Sequence, residues 1–116
     1  MSRQRSAARA GLAGAAPIFA ALGDETRLRL VARLCTEGPL SIVRLSADAA
    51  VTRQAVTKHL HALAAAGLVR GKRRERQRQR IWELQPRRLL KARRYLDRIS
   101  RQWDGALERL RALVEE

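Results

Sequence analysis

A chain of 116 residues with a formal net charge of +14 and 31% charged residues has room for one domain with a modest core, not for two domains. So positive a field attracts polyanions, and nucleic acid is the first candidate. The aromatic set, Phe19, Trp82, Tyr95 and Trp103, is too sparse for the stacking platforms of single-strand and RNA binders, so duplex DNA fits better.

Cys35 is the only cysteine, which excludes an internal disulfide and a thiolate cluster within one subunit. It falls in the apolar pattern of a helix and is expected to be a small buried thiol. DNA affinity lost under mild oxidant, but kept by a Cys35→Ser variant, would make it a redox sensor instead. No apolar run reaches the roughly 20 residues of a membrane span. Residues 1–14 carry Arg3, Arg5 and Arg9, and the Ala/Gly-rich stretch that follows is broken by Pro17, a poor signal-peptide core. They read as a disordered basic tail, and the protein is expected in the cytoplasm, on the nucleoid.

In chain order, Pro17 opens a short apolar helix that ends at Gly23. Asp24 caps a second helix, with Leu28, Val31, Ala32 and Leu34 inward, Arg27, Arg29 and Arg33 toward water, and Gly38-Pro39 as the stop. Ser41 caps a short helix through Ile42, Leu45 and Ala49. Thr52 caps the next, from Arg53 to about Ala66, which Gly67 closes. Two short helices parted by a tight break have the punctuation of a helix-turn-helix. Leu68–Arg73 and Gln79–Leu84 then read as strands of a β-hairpin turning through 74–78, and Pro86 ends the second. From Arg87 to Glu115 one helix carries Leu89, Ala92, Leu96, Ile99, Trp103, Ala106 or Leu107, Leu110 and Leu113 at steps of three and four, with Gly105 as its weak point. A domain of about 70 residues cannot bury so long a stripe, so part of it is assigned to a partner chain. The expected fold is mainly α: a winged helix-turn-helix with a two-stranded wing over 15–85, and a dimerisation helix over 86–116.

On a wheel of about 100° per residue, Val56, Leu60 and Leu63 of the predicted recognition helix share one side. Gln54, Thr57, Lys58 and His61 fall on the other, with Arg53 in the first turn. These groups can reach base edges or phosphates: Gln pairs adenine bidentately, and Lys favours guanine or phosphate. An ordinary wet helix face would look alike in isolation; the capped turn before it and the basic hairpin after it argue for DNA. Between Arg70 and Arg80 stand Arg70, Lys72, Arg73, Arg74, Arg76, Arg78 and Arg80 against Glu75 alone. Such crowding is relieved by a phosphate backbone or a narrow minor groove. Lys72, Arg73, Arg74, Arg76 and Arg78 are therefore the wing contacts, while Val69, Ile81 and Trp82 pack inward.

His59 and His61, two residues apart on a helix, point about 200° from each other and cannot share one ion. His59 is expected to be packed and hydrogen-bonded. No Gly-rich phosphate loop and no nucleophile-base set argues for catalysis, and Asp97, Asp104 and Glu108 are explained by i, i+4 pairing with arginine.

These residues resemble the ArsR/SmtB family of winged-helix repressors over roughly Ala16 to Leu84. Ala21-Leu22-Gly23-Asp24-Glu25-Thr26-Arg27-Leu28-Arg29 is similar to the family's "ALADPTRxxIL" opening. Thr52-Arg53-Gln54-Ala55-Val56-Thr57-Lys58-His59-Leu60 is similar to its "SQxxVSxHL" helix, and Ala62–Val69 to "xLxxAGLV". The resemblance implies a homodimer joined through the first and last helices, here by Phe19, Leu89, Leu96, Ile99, Trp103, Leu107 and Leu110. It also implies recognition helices in successive major grooves of an operator, wings on the flanking backbone, and repression of the regulator's own operon until an inducer releases it. The chain departs from the metal-sensing members, because Ser41 and Val43 stand where their Cys-x-Cys would fall and no histidine follows His61. No metal or other cofactor is expected, and the inducer stays open. Two rivals remain: a sequence-blind architectural DNA binder, and a protein-interaction module using the long helix.

Overall fold

The computed structural model describes residues 13–73 and 80–115; the expected tail up to residue 12, the turn at 74–78 and Arg74, Arg76 and Arg78 lie outside them. In chain order the elements are α1 (13–22), α2 (Glu25–Glu37), β1 (Leu40–Ser41), α3 (Ile42–Ala47), α4 (Arg53–Ala65), β2 (Val69–Arg73), β3 (Arg80–Leu84) and α5 (Pro86–Glu115). Pro17 does not open α1, as expected, but lies inside it. The Ala-rich segment before it favours helix, against the N–H that proline removes from the ladder and the clash of its ring with the carbonyl four residues back.

Asp24 caps α2 as the sequence demands: its Oδ1 accepts the Arg27 N–H at 3.0 Å. Gly38 stops the helix at φ 80°, a conformation open chiefly to glycine. Its buried residues are Leu30, Val31 and Leu34. Leu28, Ala32 and Cys35, expected inward, are exposed instead. On the wheel those three share a sector roughly a third of a turn away from the Leu30–Leu34 arc, so the apolar pattern holds two adjacent faces and only one meets the core.

The sheet has three strands, in the order β1-β3-β2, where a two-stranded wing was expected. The extra strand is Leu40–Ser41, antiparallel to β3 with Leu40 opposite Trp82 and Ser41 opposite Ile81. Two residues carry no readable alternation, and Ser41 also caps α3, which masks the strand in the sequence. In the β2–β3 register Val69 faces Leu84 and Gly71 faces Trp82. Because paired residues share a face and neighbours alternate, Val69, Trp82 and Leu84 turn to the core. Ile81 lies on the opposite face with Arg70 and Lys72, not inward as expected.

Ile18, Leu45, Val56, Leu60, Leu63 and Leu68 form the fully buried centre, bringing together α1, α3, α4 and the start of β2. Pro86 opens α5, where its missing N–H costs nothing. Ala92 is buried, Leu89 packs against the core, and Tyr95 meets the Phe19 ring with centroids 6.0 Å apart. Past Tyr95 the stripe is uncovered: Leu96, Ile99, Trp103, Leu107, Leu110 and Leu113 are all exposed, Trp103 by 64%. A helix of 30 residues runs about 45 Å. Among the described residues the only ion pair on α5 is Arg111–Glu115, so Asp97, Asp104 and Glu108 do not make the i, i+4 pairs expected of them.

Candidate nucleic-acid interface

The two helices of the turn are locked at their starts by side-chain caps. Ser41 Oγ accepts the Arg44 N–H at 3.3 Å, and Thr52 Oγ1 accepts the Ala55 N–H at 3.1 Å. With its N-terminus pinned, α4 buries Val56, Leu60 and Leu63 completely. The opposite face carries Gln54, Lys58 and His61, all exposed, in agreement with the wheel, and Arg53 in the first turn is exposed as well. Thr57 is half-buried and its hydroxyl donates to the Arg53 carbonyl at 3.0 Å. Its donor is thus engaged within the helix, and only the hydroxyl's acceptor lone pairs remain for another partner.

His59 and His61 separate as their spacing requires. Half-buried His59 places Nδ1 3.5 Å from Arg27 Nη1 and 3.9 Å from Asp24 Oδ1. Arg27 in turn donates through Nε to the Ala21 carbonyl at 2.6 Å and through Nη2 to Ala20 at 3.4 Å, so it closes the C-terminus of α1 onto α4. The backbone N–H of Arg27, aided by His59, holds the Asp24 carboxyl below the usual carboxylate range. His61 sits edge-on to Trp82 with ring centroids 5.8 Å apart, tying the outer face of α4 to the sheet.

The described cations of the hairpin divide by face. Arg70 and Lys72 converge on Glu83, with Nη2 and Nζ at 2.7 and 3.1 Å from Oε1. Lys72, expected as a phosphate contact, is therefore partly neutralised at home, and Glu83 was not foreseen in that role. Arg73 and Arg80 stand directly opposite each other in the register, on the Trp82 face that turns toward His61. Like charges facing across a ladder destabilise it unless an anion lies between them. Arg80 joins the candidate contacts for this reason, since the register pairs it with Arg73.

The family model that matches residues 22–72 is described as a helix-turn-helix domain. An uncharacterized HTH-type transcriptional regulator of Bacillus subtilis is 40% identical over 75 residues, covering 60% of this chain and 82% of the relative. An HTH-type transcriptional regulator of Mycobacterium tuberculosis is 38% identical over 95 residues, covering 82% of this chain and 83% of the relative. Among solved structures, an ArsR-like transcriptional regulator from Rhodococcus sp. RHA1 superposes with a TM-score of 0.73 at 35% identity, over 88% of this chain and 93% of its own.

The chain belongs to the ArsR-type winged helix-turn-helix transcriptional regulators.

As an ArsR-type regulator it is a DNA-binding protein. This regulator keeps Ser41 and Val43, neither of them a thiol, at the start of α3. Among the described residues no group of three or more His, Cys, Asp or Glu side chains could hold a metal ion.

Glu83 gives this ArsR-type wing a pH dependence. Arg70 first, then Lys72, holds its carboxyl below the usual range. Its contribution to stability is complete above the unfolded value of about 4.3 and is lost as pH falls through the lower folded value. Thermal melts of Glu83→Gln from neutral pH into that range are expected to show a shallower acid decline than wild type. An unchanged decline would place the acid sensitivity at Asp24 and Glu37, which are depressed by Arg27 and Arg33.

Proposed function

We propose that two copies join through α1 and α5, seat their α4 helices in successive major grooves of an operator and lay their wings on the flanking backbone, repressing transcription in the cytoplasm, on the nucleoid. One observation carries this reading: a capped α4 exposes Arg53, Gln54, Lys58 and His61 beside the opposed Arg73–Arg80 pair. Gln54 and Arg53 read base edges, Lys58 and His61 bind phosphate or guanine, and Thr57 contributes its methyl and acceptor lone pairs. Lys72, Arg73, Arg74, Arg76 and Arg78 bind backbone. The uncovered stripe Leu96, Ile99, Trp103, Leu107 and Leu110, with Phe19 and Leu89 at its root, forms the seam with the second copy. The work is binding, with no reaction catalysed and no metal or cofactor involved, and the releasing signal is left open.

Fluorescence anisotropy tests this on DNA from upstream of the gene against a scrambled duplex, over a range of salt. Specific binding is expected to exceed scrambled by about 10³ or more, with both weakening steeply in salt. Gln54→Ala is expected to cost about 1–3 kcal/mol at one base pair and to relax preference there, whereas Arg73→Ala weakens all duplexes alike and lowers the salt slope. Equal losses on every sequence from both variants would overturn the division into readers and backbone contacts. Equal wild-type binding to both duplexes would favour the architectural reading.

A further inference from the structure

The first half of α5 carries more positive charge than the roles above use. From Pro86 to Gln102 it holds seven basic residues against Asp97 alone, and among the described residues none of the seven makes an ion pair. Five of them, Arg87, Lys91, Arg94, Arg98 and Arg101, recur at steps of four and three and are all exposed. On the helical wheel they gather about 160° from the Leu89–Ala92–Leu96–Ile99–Trp103 stripe. A partner copy seated on the apolar stripe therefore leaves this basic face in water.

The face is also remote from the reading end of α4. Arg88, at the root of α5, lies against Gly67, where an added Cβ would meet its Cγ at 3.0 Å. Gly67 follows the C-terminus of α4, whereas the candidate readers run from Arg53 to His61, about 21 to 9 Å away along the helix axis. The basic face then runs about 21 Å from Arg87 to Arg101. Four of its five cations are guanidinium groups, whose planar fork binds phosphate oxygens bidentately, a geometry that lysine lacks.

We propose that the Arg87–Lys91–Arg94–Arg98–Arg101 face of α5 is a second duplex-binding surface, which takes a phosphate backbone without sequence preference. A regulator seated through α4 on one duplex would then hold another against its dimerisation helices. This rests on the DNA-binding reading of α4, and the test separates the two.

The full chain is bound to a bead-linked duplex from upstream of its gene, then offered a fluorescent random-sequence duplex at low salt. Wild type is expected to capture the second duplex. The triple variant Arg94→Glu, Arg98→Glu, Arg101→Glu is expected to hold the bead-linked duplex within about twofold of wild type while capture falls at least about tenfold. The Lys triple, which keeps charge but loses the fork, should capture an intermediate amount. A wild-type protein that binds the beads but captures nothing overturns the second surface and leaves the first intact. So does a Glu triple that captures like wild type, or one that loses the bead-linked duplex in equal measure, since the face would then belong to the primary interface. Failure of wild type to bind the beads at all strikes at the α4 reading instead. Loss of binding to an acidic protein partner, with DNA capture unchanged, would reassign the face to that partner.

Discussion

The double variant Ile99→Asp, Trp103→Asp is expected to sediment as a monomer and to bind the operator at least about a hundredfold more weakly than wild type. Both side chains are exposed within one chain, Ile99 by 43% and Trp103 by 64%, so the change costs the domain's own core nothing. In the proposed dimer the same positions lie in the seam. An unpaired carboxylate there must either be desolvated or keep the helices apart, and either outcome disfavours association by several kcal/mol. The loss of DNA affinity follows from linkage, since tethering two modules multiplies affinity by about 10²–10⁴ over one alone. Analytical ultracentrifugation beside anisotropy measures both effects, and the variant's thermal melt should lose the dependence on protein concentration that a dimer shows. A variant that still sediments as a dimer would remove α5 from the seam. A monomer with undiminished operator affinity would show that one α4 suffices.

Trp82→Ala is expected to cost about 3–5 kcal/mol of unfolding free energy, read from denaturant titration, and to lower Tm by well over about 10 °C. Trp82 is 5% exposed and stands at the crossing of the sheet: opposite Leu40 of β1 and Gly71 of β2, with His61 of α4 edge-on to its ring. A Cβ on Gly71 would meet the ring at 3.4 Å, an ordinary van der Waals contact, so the ring packs closely over this strand. Removing the indole empties a space shared by three strands and a helix, and the cavity cost adds to the lost transfer energy. His61 loses its support as well, so DNA affinity should fall even at temperatures where the variant is folded. A loss under about 1 kcal/mol would mean that the strands close over the gap and that Trp82 is not the keystone of the sheet.

The parts of the fold legible in the sequence are those governed by neighbours in the chain. Asp24, Ser41 and Thr52 cap because a short oxygen-bearing side chain reaches an N–H three residues on, wherever the helix later packs. The buried triad Val56, Leu60 and Leu63 and its polar counterface follow from helical periodicity alone, as does the stripe of α5. Leu28 and Cys35 were misplaced because an apolar sector shows that a face is apolar without saying what covers it. The strand Leu40–Ser41 escaped notice because two residues become a strand only through the partner they find in β3.

By itself, then, the sequence determined the caps, the helix-turn-helix and its outward polar face, the long unpartnered stripe, and the basic character of the wing, all properties of short-range geometry and composition. The tertiary structure alone decided how the described cations are partnered. Register set Arg70 and Lys72 upon Glu83 and left Arg73 facing Arg80, while packing turned Arg27 and His59 inward to join α1 to α4. The reason is that a charge's neighbours in space come from strand pairing and helix docking over many residues of separation, where local periodicity is silent.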